Sequence, residues 1–548
     1  MSGPNFQESE VRIAHSLNKN EEEFVAKRRK DVLQSLEKIG ISCNQENVPN
    51  IALLGSGGGQ RAMVGLLGCL DQLDKAGLLD CVLYLSGVSG STWCMASLYQ
   101  EPDWSTKLQT VKDRIISRIS GPAVSWKDAH NKLLKYFSEK DYFSLTDVWA
   151  VLAVTTFVKE MDESTLSDQQ EQHKKDPLPI YTVIDKQCKD GDPWFEITPY
   201  EAGYSLTGAF VDTPSFGSQF ENGRKVKPQP EVDMLYLQSL CGSALGDRQM
   251  IHSFILGKIQ EFFTQSTPAE ETKKDPNTPP EDQCSQVLTD LTDMNICVLK
   301  GQDPTPLDES IRTKLTELSG DEQQLISQVK KVNIRDKREA EPEINQYTED
   351  VCDFMCKLKL SLPLGTRMRM AISKCMAQWI WGRNYDFLHN MKHEEVPTAL
   401  LKSDTRDYED AGLLLNSPYF SVLRKERNVD LIISLDFSEG DPFMTVRDAA
   451  ETCGKLNIPF PQVNITAEDV KKPKDFYVFK GQNTPTVIHI PLFNVVNCGD
   501  QLEDWRSKYA TFQQAFSAEM ITDLMNVAGK NILNNRERLM EEIRAVIV

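Results

Sequence analysis

Among the 13 cysteines there is no Cys-x-x-Cys pair, and their number is odd. That excludes a zinc ribbon and a disulfide framework, and it points to reduced thiols in a cytosolic setting. No apolar run is long enough to cross a bilayer: the longest nearly uncharged one, Val148 to Val158 (VWAVLAVTTFV), reaches about half the required length. Met1 to Gln7 are polar and hold no signal core, the chain ends RAVIV without a prenylatable cysteine, and Met-Ser-Gly is not a myristoylation start. The expectation is a cytoplasmic protein, neither secreted nor membrane-integral, whose attachment to a membrane is peripheral. No EF-hand series of aspartates occurs, and no metal or cofactor is expected. Positive charge is scarce as well. Against 80 acidic residues stand 61 Lys and Arg, a net charge of -19, which argues against nucleic-acid binding and against broad attraction to anionic lipid. The one basic run, Lys27 to Lys30, follows Glu21 to Glu23 on a helical stretch and reads as a solvated face before a lipid-phosphate patch.

What is present is a soluble composition, 40% hydrophobic and 26% charged over 548 residues, enough for one large domain or several smaller ones. Residues 20–39 place Phe24, Val25, Val32, Leu33 and Leu36 at helical spacing. A strand over Asn50 to Leu54, a glycine loop and a helix from about Arg61 to Ala76 follow. A second strand over Cys81 to Leu85 then turns at Gly87 into a small-residue helix from Ser89. Strand, turn and helix, twice over, predict an α/β fold with a doubly wound sheet. Further buried strands are expected at Ile180–Ile184, Trp194–Ile197, Val429–Leu435 and Val487–Leu492. Residues 1–45 read as an N-terminal helical segment and 46–548 as the main domain. A proline-rich, acidic stretch at about 267–345 reads as an exposed insertion within it, with a short helix or two.

Gly55-Ser56-Gly57-Gly58-Gly59-Gln60-Arg61 lies between a strand and a helix, where bare N–H groups and the positive helix end form an anion site. A dinucleotide fingerprint needs a glycine where Gln60 stands, and a Walker loop needs Gly-Lys-Ser/Thr where Gly59-Gln60-Arg61 stands. The loop alone leaves a nucleotide site and an oxyanion hole open. Gly87-Val88-Ser89-Gly90-Ser91 decides between them, because a serine on a glycine-flanked strand-to-helix turn is how a nucleophile is presented. It departs from the Gly-x-Ser-x-Gly elbow at Ser91, and by itself would be read as a structural turn.

No histidine looks placed as the base. His489 lies inside an apolar strand, and His389 and His393 are on a polar stretch away from any glycine turn. Two carboxylates qualify: Asp410, which opens the tight turn Asp-Ala-Gly, and Asp436, which ends the strand VDLIISLD. Either could deprotonate a serine directly if partly buried within reach of it, and the chemistry alone weighs them evenly.

These motifs, together with Trp194-Phe195-Glu196, Thr198-Pro199-Tyr200-Glu201 and Asp410-Ala411-Gly412, resemble the group IV cytosolic phospholipases A2, the gamma-type members most of all. The resemblance covers roughly residues 10–265 and 350–548. It implies a patatin-like α/β fold, a central mostly parallel sheet flanked by helices with a lid or cap. It also implies a Ser–Asp dyad of Ser89 and Asp410, an oxyanion loop at Gly58 and Gly59, Arg61 beside it, and Arg427 on the substrate phosphate. On the residues alone, Arg427 within RKER is an ordinary surface charge. Too few residues precede the glycine loop for the calcium-binding C2 domain of better-known members, so calcium-independent docking is expected. The implied partners are a glycerophospholipid and a phospholipid membrane surface; oligomeric state is left open. Val148–Val158 fits an interfacial cover and a buried core helix equally well. The rival functions are lysophospholipase or transacylase activity through the same acyl-serine, a catalytically inert lipid-binding protein, and, on the glycine loop alone, a nucleotide-binding protein.

Overall fold

The computed structural model describes residues 9–188, 191–244, 248–265, 279–320, 327, 329, 330, 332, 340–358 and 360–547. They fall into two compact units, one of Met1–Pro122, Phe157–Leu245 and Asn384–Val548, the other of Ala123–Thr156 and Gly246–Arg383.

The strands, in chain order, are β1 (Val11–Ile13), β2 (Ile51–Gly55), β3 (Tyr84–Gly87), β4 (Leu178–Asp185), β5 (Trp194–Ile197), β6 (Glu201–Tyr204), β7 (Ala209–Asp212), β8 (Gln219–Glu221), β9 (Arg224–Lys227), β10 (Arg383–Tyr385), β11 (Thr405–Asp410), β12 (Leu431–Asp436), β13 (Tyr477–Phe479) and β14 (Thr486–Pro491). The central sheet runs β1-β7-β6-β5-β4-β3-β2-β12-β14-β13. From β4 to β14 the neighbours are parallel, and every residue of β2, β12 and β14 is buried, as near-continuous apolar runs demand when helices cover both faces. The connection leaves β2 toward β3 on one side, while β12 pairs on its other side. This is the switch point at whose carboxyl edge open α/β sheets bind ligands. Helices α1 (Lys19–Lys38), α2 (Gly59–Lys75) and α3 (Gly90–Leu98) follow β1, β2 and β3.

Register brings the two halves of the site together. On one edge of β4, Gly87 at the end of β3 lies opposite Tyr181; on the same edge, Asp410 at the end of β11 lies opposite Val183. Strand β11 therefore takes over where β3 stops, and the turns leaving the two strands start two β4 residues apart, roughly 7 Å.

Several expectations change. The second strand begins at Tyr84, because Leu79–Cys81 makes a single 3₁₀ turn. The N-terminal segment contributes more than a helix: β1 pairs antiparallel with β7, and α1 sends the buried Glu21 and Arg28 into the first unit. Arg28 bonds the carbonyls of Val82 and Lys175, so the KRRK run is in part an anchor. The stretch 267–345 is not simply exposed. Its described part holds helices Pro280–Leu299 and Thr305–Ser319, and the first buries Cys284, Val287, Leu288, Leu291 and Val298 at helical spacing. Pro280 and Pro306 stand in the first turns of these helices, where a missing N–H costs no hydrogen bond. Within Val148–Val158 all residues but Thr156 are buried, in the manner of a core helix, and Ala150–Val154 forms a π turn.

Candidate active site

Ser89 sits between β3 and α3 with φ 52° and ψ -123°, a left-handed conformation that a non-glycine residue holds only under constraint. The constraints are its neighbours. A Cβ on Gly90 would lie 1.8 Å from the Gly59 carbonyl oxygen, so only glycine lets the elbow press against the loop after β2. Ser91, where the sequence departs from the ordinary elbow, has a purpose: its Oγ donates to the Ser56 carbonyl at 2.6 Å and ties the elbow to that loop.

The Asp410 carboxylate is fully buried and accepts the N–H groups of Ala244 at 2.9 Å and Gly412 at 2.8 Å. Burial pushes this carboxyl up to about 6, against the pull of those N–H groups, of the Ser89 hydroxyl and of the Ser243 backbone. Ser89 Oγ is thus close enough to act on the carboxyl, yet it is buried without a well-aligned hydrogen bond among the described residues. Catalytic hydrogen bonds are commonly this loose before substrate binds.

The glycine loop faces the same elbow. Gly58 has φ 151°, and a Cβ there would stand 2.7 Å from the Phe437 carbonyl oxygen. The Gly57 N–H is used by the Asn416 carbonyl, whereas those of Gly58 and Gly59 have no acceptor among the described residues. They open the N-terminus of α2 and are free to hold an anion.

Arg61 is buried behind the loop. Its Nε donates to the Phe437 carbonyl and Nη1 to the Tyr509 carbonyl, both at 2.7 Å, so it braces the loop; burial lowers it to about 10. Arg427 is corrected outright. It lies before β12, at the amino edge of the parallel strands, while Ser89 follows β3 at the carboxyl edge, a strand length on the order of 15 Å away. Its guanidinium is spent on Glu21 (Nε, 2.9 Å, and Nη2, 3.1 Å), on Glu196 and on the Ser421 carbonyl (Nη1, each 2.5 Å). It is a structural ion pair inside the core. Glu196 also takes Arg424, and Glu201 takes Arg12, so the Trp194–Glu201 motif is there largely for buried charge pairing.

Asp436 ends β12 on the far side of the loop and bonds Ser438, not Ser89. His489 is packed in β14 between Ser434 and the Pro442 carbonyl, and burial lowers it to about 4. Asn416, Ser438 and Ser91 escape a reading of the sequence: only Ser91 carries a signal, by interrupting a motif. Among the described residues no group of His, Cys, Asp and Glu could hold a metal ion, and no helix is long and apolar enough to cross a membrane.

A family model described as the lysophospholipase catalytic domain matches residues 51–260. Cytosolic phospholipase A2 gamma of Mus musculus is 33% identical over 97% of this chain and 92% of its own length. The Homo sapiens protein of that name is 32% identical over 98% and 96%. Among solved structures, human GIVD cytosolic phospholipase A2 superposes with a TM-score of 0.67 at 20% identity, covering 99% of this chain and 69% of that one.

Proposed function

The chain belongs to the cytosolic phospholipase A2 family and is a lipid acyl hydrolase, and on that premise we propose that Ser89 attacks the acyl ester of a glycerophospholipid with Asp410 as its only acid/base partner. The observation that carries this reading is one constellation: a buried carboxyl raised toward neutrality, facing a strained serine hydroxyl that, like two N–H groups beside it, has no partner among the described residues. Asp410 takes the Ser89 proton as Oγ bonds to the ester carbonyl carbon. The carbonyl oxygen, now an oxyanion, falls to the N–H groups of Gly58 and Gly59, with the positive end of α2 and the braced Arg61 behind them. Collapse expels the lysophospholipid alkoxide, which Asp410 protonates. Water, deprotonated by Asp410, then attacks acyl-Ser89; the Oγ–acyl bond breaks, Asp410 returns the proton to Ser89 Oγ, and the fatty acid, from the sn-2 position, leaves.

We infer calcium-independent hydrolysis, in which Ser89, Asp410 and the Gly58 and Gly59 N–H groups themselves supply nucleophile, base and oxyanion donors. The enzyme works from the cytosol as a peripheral visitor to the membrane surface. A second reading, lysophospholipase activity, is favoured by the description of the matching family model and uses the same acyl-Ser89.

Position-labelled phosphatidylcholine and lysophosphatidylcholine, each assayed with and without a calcium chelator, test these statements together with a fluorophosphonate probe. The probe class is apt, since a related human structure is a complex with methyl gamma-linolenyl fluorophosphonate. Expected are labelling of the wild type, none of Ser89→Ala, and turnover indifferent to the chelator. A Ser89→Ala protein that labels equally removes the nucleophile assignment; turnover that collapses in chelator removes the metal-free mechanism.

A further inference from the structure

Asp436 has no part in the dyad, yet it is buried beside the glycine loop with its Oδ2 unpartnered among the described residues. Its Oδ1 accepts the Ser438 N–H at 3.2 Å and the Ser438 hydroxyl at 2.6 Å. Ser438 Oγ in turn accepts from Asn416 Nδ2 at 2.9 Å, and the same Nδ2 donates to the Gly57 carbonyl at 3.2 Å. The backbone carbonyl of Asn416 accepts the Gly57 N–H at 3.0 Å. One residue therefore holds Gly57 by both of its polar groups.

The Gly57 carbonyl belongs to the same planar peptide as the Gly58 N–H. Because the plane is rigid, a donor fixed on that oxygen fixes the direction in which the N–H points. It also polarises the N–H, since hydrogen bonds in series strengthen one another. The Asn416 carboxamide is well placed for this. A Cβ on Gly57 would lie 2.4 Å from its Oδ1 and 3.1 Å from the Ser89 Cβ, and one on Gly412 would lie 3.1 Å from that Oδ1 and from the Asp410 Oδ1. It fills the gap between the oxyanion loop, the nucleophile and the Asp410 turn.

We propose that Asn416 is a positioning residue of the oxyanion loop, aiming the Gly58 N–H through the Gly57 carbonyl and itself anchored through Ser438 to the buried Asp436. The inference rests on the hydrolase reading above. The second late carboxylate thereby gains a role of its own, as the fixed end of a relay, where the first is the base.

The test measures kcat and KM on labelled phosphatidylcholine, and the rate of fluorophosphonate labelling, in Asn416→Ala, Ser438→Ala and Ser438→Thr. A misaimed donor weakens the transition state more than the bound substrate. Asn416→Ala should therefore lose about ten- to a hundredfold in kcat with KM within about threefold, and label proportionately more slowly. Ser438→Ala, a milder change at the anchor, should lose about three- to tenfold, and Ser438→Thr, which keeps the hydroxyl, should recover most of it. Wild-type kcat in either alanine variant, a loss confined to KM, or a threonine variant as slow as the alanine one overturns the relay while the hydrolase reading stands. A wild type that neither labels nor hydrolyses overturns the hydrolase reading, and the relay with it.

Discussion

At the scale of single residues, the controlling quantity is the proton affinity of Asp410. A general base acts only when ionised, and burial raises this carboxyl to about 6. The rate kcat/KM should therefore climb as pH rises through about 6 and level off toward neutrality, with no histidine contributing a second limb. Asp410→Asn should lose about 10²- to 10⁴-fold and its residual activity should no longer follow that limb, as a pH–rate profile will show. An unchanged profile in the variant would assign the limb to another group. Ser89 and the glycines are legible in the sequence because the turn chemistry of an elbow and an anion loop is local, set within five to seven consecutive residues. Asn416 and Ser438 are not. What they do depends on where the ends of β2 and β12 meet, and no spacing along the chain records that.

Elements explain the misassignment of Arg427. Resemblance transfers a residue by its place in a motif, but the direction of β12 puts this arginine at the edge away from the chemistry. There it joins α1 to the sheet through Glu21 and Glu196. Arg427→Met should deprive the buried Glu21 of its cation, leave Glu196 to Arg424 alone, and lower stability by about 3–5 kcal/mol in urea unfolding. The protein that remains folded should keep its KM for phosphatidylcholine; a selective rise in KM would return the residue to the substrate. The long apolar strands are legible because burial on both faces leaves near-continuous hydrophobic runs such as LIIS in β12 and VIHI in β14. The short strands β1, β6 and β7 at the antiparallel end of the sheet are not, being three or four residues long and carrying ordinary polar positions. In 267–345, proline reads as a breaker along the sequence, although Pro280 and Pro306 occupy the turn that tolerates it.

For the molecule as a whole, the segment that reads as a separate N-terminal helix is part of the first unit. Strand β1 pairs with β7, and Arg12, Glu21 and Arg28 make ion pairs or hydrogen bonds within that unit. A chain beginning at residue 46 should consequently lose its cooperative melting transition and its labelling by fluorophosphonate, not merely its affinity for vesicles. A truncated protein that melts and labels like the full chain would show the segment to be dispensable. One consequence reaches back to synthesis. Ser89 and its elbow leave the ribosome early, but the base is residue 410, and β12 and β14, on the far side of β2 from that elbow, lie later still. At ordinary elongation rates the nucleophile waits on the order of tens of seconds for its partner. A nascent chain beside a lipid bilayer should thus stay chemically harmless until β11, β12 and β14 have emerged.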